Sequence, residues 1–330
     1  MNNGIDISIV VCTYNRAALL FRSVESLFRL NTAGAFVYEI VVIDDLSTDD
    51  TPVILEGLRE RSPVTLRWAR ASGAGIAAAR NCGIREAVGD YIAYFDDDQL
   101  ADPNWLLELW RTRLDTHAAC VGGARLLELP ARELSGIHPI IRLYLGEIPI
   151  ETSPRKCGRA DLLCTGTVLL DRTVFTRVGG FDESLSEGGE DTEFFTRVRA
   201  AGFQCWYTPH SVVKHIIPSY RREAPYLQWT AIRGGECFAC RDLRELGALR
   251  TVVLSALRVI HAFAVHAPVM CVMRLLKRKG DVLARSCQIR RALAYARGAV
   301  RRIITGNSER GGKSRIDFRS ERTLFPRTES

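Results

Sequence analysis

The amino-acid sequence predicts an α/β fold, a mostly parallel sheet flanked by helices, with a C-terminal helical extension. Three observations predict it. Short runs rich in β-branched residues alternate with helical patterns from residue 7 to about residue 116. Those runs are nearly continuous in apolar character, as strands buried on both faces are. Beyond about residue 220 the pattern is helical almost throughout.

ISIVVC (7–12) reads as the first strand and residues 17–30 as an amphipathic helix. YEIVVID (38–44) is a second strand, followed by a helix over 49–61. VTLRWAR (64–70) and YIAYF (91–95) are the third and fourth strands, followed by helices over 75–88 and 103–116. Such βαβα alternation predicts a parallel sheet covered by helices. From 118 the rhythm changes. AACVGGARLLEL (118–129) reads as a strand crossing to another half of the fold. Residues 130–160, with Pro130, Pro139, Pro149 and Pro154, suit a mobile loop over a site. LLCTGTVLL (162–170) is a further strand, 190–201 a short helix, and CWYTPHSVVKHI (205–216) a strand pair broken at Pro209.

The length, 330 residues, allows one large α/β domain with added helices, or two domains. A net charge of +7 conceals an asymmetry: residues 241–330 hold 20 Lys and Arg against 7 Asp and Glu, and residues 1–240 hold 25 against 31. The basic end suits a polyanionic partner such as anionic lipid. Zinc-finger spacing and RNA-binding aromatic motifs are absent, so a nucleic-acid partner is not expected. Ten cysteines lie scattered through apolar segments, as reduced, buried cysteines do. Cys237 and Cys240 form a lone CxxC pair, which fits a buried helix better than a metal or redox site. The start of the chain shows no secretory pattern.

In open α/β sheets, ligands bind outside the carboxyl ends of the strands. The polar residues obey that rule. The strands end in CTYNR (12–16), DDLSTDD (44–50), Arg70 to Gly73, and DDD (96–98), so four ends converge on one carboxylate-rich crevice. Asp49 or Thr48 also suits capping of the next helix. Three like charges closing a buried strand suit either a solvated turn or a cation held among them. Asp96 and Asp98 flank one residue and can hold Mg²⁺ or Mn²⁺ together with diphosphate oxygens. A second acidic group, GGEDTEFF (188–195), opens a helix. Its acids favour a helix N-terminus in any case, and a carboxylate delivered there by Gly-Gly is a candidate general base. The run Gly73-Ala-Gly75-Ile-Ala-Ala78 matches a dinucleotide fingerprint in form, but it follows the third strand. Small residues there suit a loop and helix closing on a ligand.

SIVVCTYNR, VVIDDLSTDDT, GIAAARNCGI, GDYIAYFDDDQLADPNWL and GGFDESLSEGGEDTEFFTRV occur in that order over residues 6–220. Together they resemble family 2 glycosyltransferases, the inverting group with the GT-A fold. The resemblance implies a nucleotide-sugar donor (a UDP-, GDP- or dTDP-sugar), Mg²⁺ or Mn²⁺, and a sugar or lipid-linked acceptor, as in cell-surface polysaccharide or glycolipid synthesis. It implies that Thr13, Tyr14 and Asn15 line the nucleotide pocket, that Asp45 meets the base and ribose, and that Arg80 and Asp96 lie near the nucleotide. Asp96 and Asp98 correspond to the metal-binding D-x-D, Asp98 being the direct ligand. Asp191 corresponds to the catalytic base, with Glu190 beside it on the acceptor. His215 matches a position where relatives often carry a histidine near the diphosphate, and a core histidine fits the same position. Cys12 stands where the family often has proline.

The expected organisation is a GT-A domain over 1–220, a basic helical region over 221–304, and a disordered tail over 305–330. Residues 252–273 are strongly apolar, but the longest stretch free of Lys and Arg, 259–273, is short for a spanning helix. In the helix over 281–304, Val282, Ile289, Leu293, Ala296 and Val300 share a face, with arginines on the flank and opposite. That pattern suits an anionic membrane surface from the cytoplasmic side, or a solvated arginine face on a packed helix. The alternative to a transferase is a membrane-docking protein with an inert transferase-like domain, which loss of the D-x-D or of Asp191 would favour; both are intact.

Overall fold

The computed structural model describes residues 4–73, 75–159, 161, 163–185 and 189–305. Of the expected tail over 305–330, Thr305 falls in the last helix and 306–330 lie outside the described residues, as does Gly188. In chain order the elements are β1 (Ile7–Thr13), α1 (Ala17–Leu27), β2 (Tyr38–Asp44), α2 (Thr51–Arg61), β3 (Leu66–Arg70), α3 (Ile76–Glu86), β4 (Tyr91–Asp96), β5 (Gln99–Ala101), α4 (Trp105–Thr116) and β6 (Cys120–Glu128). Then come α5 (Ala131–Gly136), α6 (Pro139–Tyr144), β7 (Arg155–Lys156), β8 (Thr167–Asp171), α7 (Arg172–Val178), α8 (Glu190–Ala200) and β9 (Cys205–Ile216). A 3₁₀ turn, Ser219–Arg222, precedes α9 (Ala224–His261), a π-turn Ala262–His266, α10 (Ala267–Leu275) and α11 (Lys279–Thr305).

The chain forms two compact units: Met1–Glu128 with Ile148–Ile216, and Leu129–Glu147 with the chain from Ile217 onward. The first contains the whole sheet, in the order β3-β2-β1-β4-β8-β6-β9-β5, with β7 on β9. β1 to β4 pair in parallel, and β8 joins β4 antiparallel. The near-continuous apolar runs follow from burial on both faces. Ile7, Ile9 and Val11 pack with α1, α2 and α4 through Leu20, Val24, Leu55 and Trp105. Val10 faces the other way, onto Ala77, Ala79 and Cys82 of α3, in a layer with Phe194 and Phe195 of α8. Each such buried side chain contributes about 1.5–3 kcal/mol. Gly83 of α3 sits so close to β1 that a Cβ there would lie 2.3 Å from Val10 Cγ1. No larger residue lets that helix lie down on the strand.

Several expectations change. Residues 205–216 form one strand, not a broken pair. Its pairing with β6 runs Gly123↔Thr208 and then Ala124↔Val212, so Pro209 to Ser211 bulge out and the strand resumes. The strand expected over 162–170 is confined to Thr167–Asp171. Residues 130–160 are not a loop throughout. They hold α5 and α6, because Pro130 precedes one helix and Pro139 opens the other, positions where a missing N–H breaks no helical bond.

The second unit is helical. α9 carries a non-helical Gly247 (φ 77°) within it. Its partner α11 buries Ala284, Cys287, Tyr295, Gly298 and Ala299. Leu293 and Val300, on the apolar face that the periodicity marks out, are exposed, and the packed face is built mostly of small residues. Small residues won because they let the helices approach: a Cβ on Gly235 would lie 2.4 Å from the Arg291 carbonyl oxygen. Between these two helices, Asp242 accepts from Arg241 at 2.8 and 3.0 Å and from Tyr295 Oη at 2.8 Å. Leu249, Val253, Leu257, Ile260, Phe263 and Leu275 stand exposed along the run Ala224–Leu275, kinked at Gly247, which is long and apolar enough to cross a membrane by length and composition.

Candidate active site

The pairing Thr13↔Asp44 makes the loops after β1 and β2 leave the same sheet edge. Short hydrogen bonds lock them together. The Asp45 N–H donates to the Thr13 carbonyl at 2.8 Å, and the Asn15 N–H to Ser47 Oγ at 2.8 Å. Asn15 Oδ1 accepts from the Thr48 N–H at 2.6 Å. Asn15 adopts φ 49°, a left-handed conformation that asparagine tolerates better than most residues. Half-buried Tyr14 lies between the two locked residues. Both oxygens of Asp45 accept from the Gly75 N–H, at 3.0 and 3.1 Å, so this carboxylate also fixes the entry to α3. Asp49 accepts from the N–H and hydroxyl of Thr51 at 3.1 and 2.6 Å, the capping role open to it in the sequence.

The three aspartates at the end of β4 have distinct surroundings. Two unit charges 4 Å apart repel by about 4 kcal/mol at an effective dielectric of 20, so compensation is required. Asp97 and Asp98 are each 5% exposed. Arg16 Nη1 meets Asp97 Oδ1 at 2.7 Å and Asp98 Oδ2 at 3.0 Å. Thr13 Oγ1 donates to Asp97 Oδ2 at 2.7 Å, so Thr13 is buried against Asp97. His215 Nε2 lies 3.4 Å from Asp98 Oδ2. Asp96 Oδ2 accepts from Gln99 Nε2 at 3.1 Å and lies 3.8 Å from Arg125 Nη1. Burial first, then the charge of Asp98, raises the Asp96 carboxyl above the usual range. Gly166 leaves the room Asp96 needs: a Cβ there would sit 2.1 Å from Asp96 Oδ2.

α8 brings the second acidic group. Gly189, at φ 94°, precedes it in the left-handed region that favours glycine. Glu190 is buried and its Oε1 is engaged by Arg80 Nη1 of α3, while its Oε2 is buried with no hydrogen-bond partner among the described residues. Asp191 Oδ1 accepts from the Thr192 N–H at 2.6 Å. Burial, and next the charge of Glu190, pushes the Asp191 carboxyl up to about 6. Arg80 acts electrostatically on Asp191 and Asp96, and Arg125 on Asp96, Asp98 and Asp191. The thiol of Cys12 senses Arg80, Asp96, Asp97 and Asp45, and burial raises it well above its ordinary value. The predicted residues Asp45, Arg80, Asp96, Asp98, Glu190, Asp191 and His215 thus fall into one electrostatic neighbourhood. Asn15 serves the floor of the crevice through its N–H to Ser47 and its side-chain oxygen, which accepts from Thr48.

Comparison with known proteins now has a geometry to meet. Residues 8–168 match the model for glycosyl transferase family 2, and residues 153–221 match that for the N-terminal domain of galactosyltransferase. Over residues 8–168 the chain is thus similar to glycosyl transferase family 2. The succinoglycan biosynthesis protein ExoM of Rhizobium meliloti is 29% identical over 237 residues, covering 71% of this chain and 74% of that protein. A validoxylamine A glucosyltransferase of Streptomyces hygroscopicus is 32% identical over 231 residues, and the match spans about half of its length (52%) and 59% of this chain. The fold matches that of S. aureus TarS 1–349 in complex with UDP-GlcNAc, with a TM-score of 0.52 and 15% identity over 92% of each chain. This is the GT-A type of sheet.

Within the family 2 domain, sequence reasoning missed Arg16, Asp97, Arg125 and Gly166. Arg16 and Asp97 lie inside quoted motifs, and an arginine beside a crevice of acids was the available signal. Arg125 sits in VGGARLL, where one charge in an apolar strand was the only hint. Among the described residues, no three His, Cys, Asp or Glu side chains form a ready-made cation cage. The residues nevertheless fit a hard divalent ion that takes part of its shell from its ligand. Asp96 and Asp98 offer oxygens, and the raised Asp96 is a carboxyl whose ionised form a cation would favour.

Proposed function

We infer that the chain is a metal-dependent, inverting glycosyltransferase. It moves a sugar from a nucleotide-sugar donor to a sugar or lipid-linked acceptor in cell-surface polysaccharide or glycolipid synthesis. One observation carries the reading: a carboxyl raised to about 6, Asp191, shares two arginines with the D-x-D at the end of β4. A general base works best when its pKa lies near the working pH. The acceptor hydroxyl attacks the anomeric carbon of the donor, and Asp191 takes its proton as the new C–O bond forms. The bond from the anomeric carbon to the diphosphate breaks, and the nucleoside diphosphate leaves with the electron pair. One displacement inverts the anomeric centre. Arg80 holds Glu190 at the start of α8 and thereby sets the position of Asp191. The floor tied by Asp45, Asn15 and Ser47 receives the nucleoside. Asp96 and Asp98, with His215 beside Asp98, would hold Mg²⁺ or Mn²⁺, whose charge would stabilise the departing diphosphate.

The names of the relatives support a glycan-building role, and the ten free cysteines suit a reducing compartment. The exposed apolar run on α9 and α10, with no acidic residue between 246 and 280 and with Arg274, Lys277, Arg278 and Lys279 at its end, supports contact with the anionic inner face of a membrane. The test offers UDP-, GDP- and dTDP-sugars with Mn²⁺ or Mg²⁺, with and without membrane lipid extract, and measures nucleoside diphosphate release. Release from one donor, lost in Asp98→Ala and Asp191→Asn, is the expected result. Silence across the panel, with no metal-dependent nucleotide binding, would sink the reading.

A further inference from the structure

We propose that Arg16 is a displaceable counter-ion of the aspartate cluster: it yields Asp98 Oδ2 to an incoming divalent cation while keeping hold of Asp97. The proposal rests on the metal reading above.

The geometry singles out one oxygen. Asp98 Oδ2 lies 3.0 Å from Arg16 Nη1 and 3.4 Å from His215 Nε2. Arg16 and the metal pocket therefore share a single carboxylate oxygen. Magnesium-sized ions take oxygens at about 2.0–2.1 Å and prefer near-octahedral shells. A guanidinium nitrogen directed at the same oxygen stands in such a shell and repels the ion. Metal and Arg16 thus compete for Asp98.

Asp97 does not share in that competition. Its Oδ2 is taken by Thr13 Oγ1 at 2.7 Å and its Oδ1 by the same Arg16 Nη1 at 2.7 Å. Thr13 ends β1 and Arg16 directly precedes α1, so Asp97 is held on both oxygens from the β1–α1 connection. A guanidinium carries five N–H donors in a planar fork. It can swing away from Asp98 about the Asp97 contact, which releases an N–H for another acceptor. A diphosphate arriving with the metal brings the anionic oxygens to receive it. Metal entry and diphosphate entry are then coupled, with Arg16 suppressing metal binding until the nucleotide comes. In the meantime the resident arginine offsets the charge of two nearly buried carboxylates.

The experiment is a Mn²⁺ titration of the metal-free full chain followed by electron paramagnetic resonance, with and without UDP and GDP. It uses wild type, Arg16→Ala, Arg16→Gln, Arg16→Lys and Asp98→Ala, with folding checked by circular dichroism. Without nucleotide, Arg16→Ala and Arg16→Gln should bind Mn²⁺ about tenfold more tightly than wild type, a difference of about 1.4 kcal/mol. Arg16→Lys should fall between, and nucleotide should tighten Mn²⁺ binding more in wild type than in either neutral variant. A merely structural role for Arg16 would leave Mn²⁺ affinity level or lower it. That outcome, with Asp98→Ala still abolishing binding, would overturn the counter-ion and leave the metal reading standing. Mn²⁺ binding indifferent to Asp98→Ala in every form would remove the metal reading and the proposal with it. Arg16→Gln, close in size and able to donate to Asp97, decides the matter if Arg16→Ala does not fold.

Discussion

Two buried charge clusters, one in each unit, are balanced in opposite directions. At the sheet edge, the carboxylates of Asp45, Asp96, Asp97, Asp98, Glu190 and Asp191 have Arg16, Arg80 and Arg125 among them. In the helical unit, Asp242 has Arg241, Arg258 and Tyr295 Oη around it. Acids are in surplus in the first cluster and donors in the second. The difference separates a site from a fastening. A cluster short of positive charge raises its carboxyls, as it does at Asp96 and Asp191, and gains from a cation brought by a ligand. A cluster whose one carboxylate is already met by several donors has no need of an outside cation and ties its helices together.

That contrast can be broken by removing one acid from each side. The largest effect belongs to Asp191→Asn: kcat should fall about 10²- to 10⁴-fold, the range for a lost general base. In wild type, kcat should rise with pH through about 6, where Asp191 loses its proton, and level off above it. Stability should move the other way. A carboxyl raised from 3.8 to about 6 on folding binds more protons in the folded state, so its contribution to stability declines as pH rises from about 4 to about 6. Asp191→Asn should therefore melt higher than wild type at pH 8 and close to it at pH 4, which calorimetry reads directly.

Asp242→Leu should do the reverse. It leaves the buried Arg241 without its carboxylate and should cost about 3–5 kcal/mol in a denaturant titration. A rise in stability there would end the distinction between the clusters. Gly166→Ala sharpens it more gently. The added methyl presses on Asp96 and Gln99, which should cost about 1–3 kcal/mol of stability and weaken Mn²⁺ binding. The smallest effect is expected from Asp96→Asn, a slight rise in melting temperature at neutral pH, because the raised carboxyl is relieved of its charge.

β1, β2 and β4 were legible because burial on both faces writes them as nearly unbroken apolar runs, and the acidic ends of β2 and β4 announced the crevice. β5, three residues long, has no pattern to offer. The helices over 131–144 were hidden by prolines that read as breakers and act as starters. At the site, Asp45, Asp96, Asp98 and Asp191 stood in recognisable motifs. Arg125 did not, because its role depends on strand order: β6 and β4 are joined through β8, a neighbourhood that chain order does not reveal. Arg16 was in plain view, but its partners lie 81 and 82 residues away. The packed face of α11 was not legible in its apolar period because close packing through Gly235 and Gly298 uses small side chains.

The ties between Thr13, Asn15, Asp45, Ser47, Thr48 and Gly75 join three strand ends into one stiff floor. Their ordering entropy is spent during folding, before any visitor arrives. A nucleoside landing there should freeze few protein torsions, so affinity for different nucleotides should differ mainly through dissociation rates, with arrival nearly uniform.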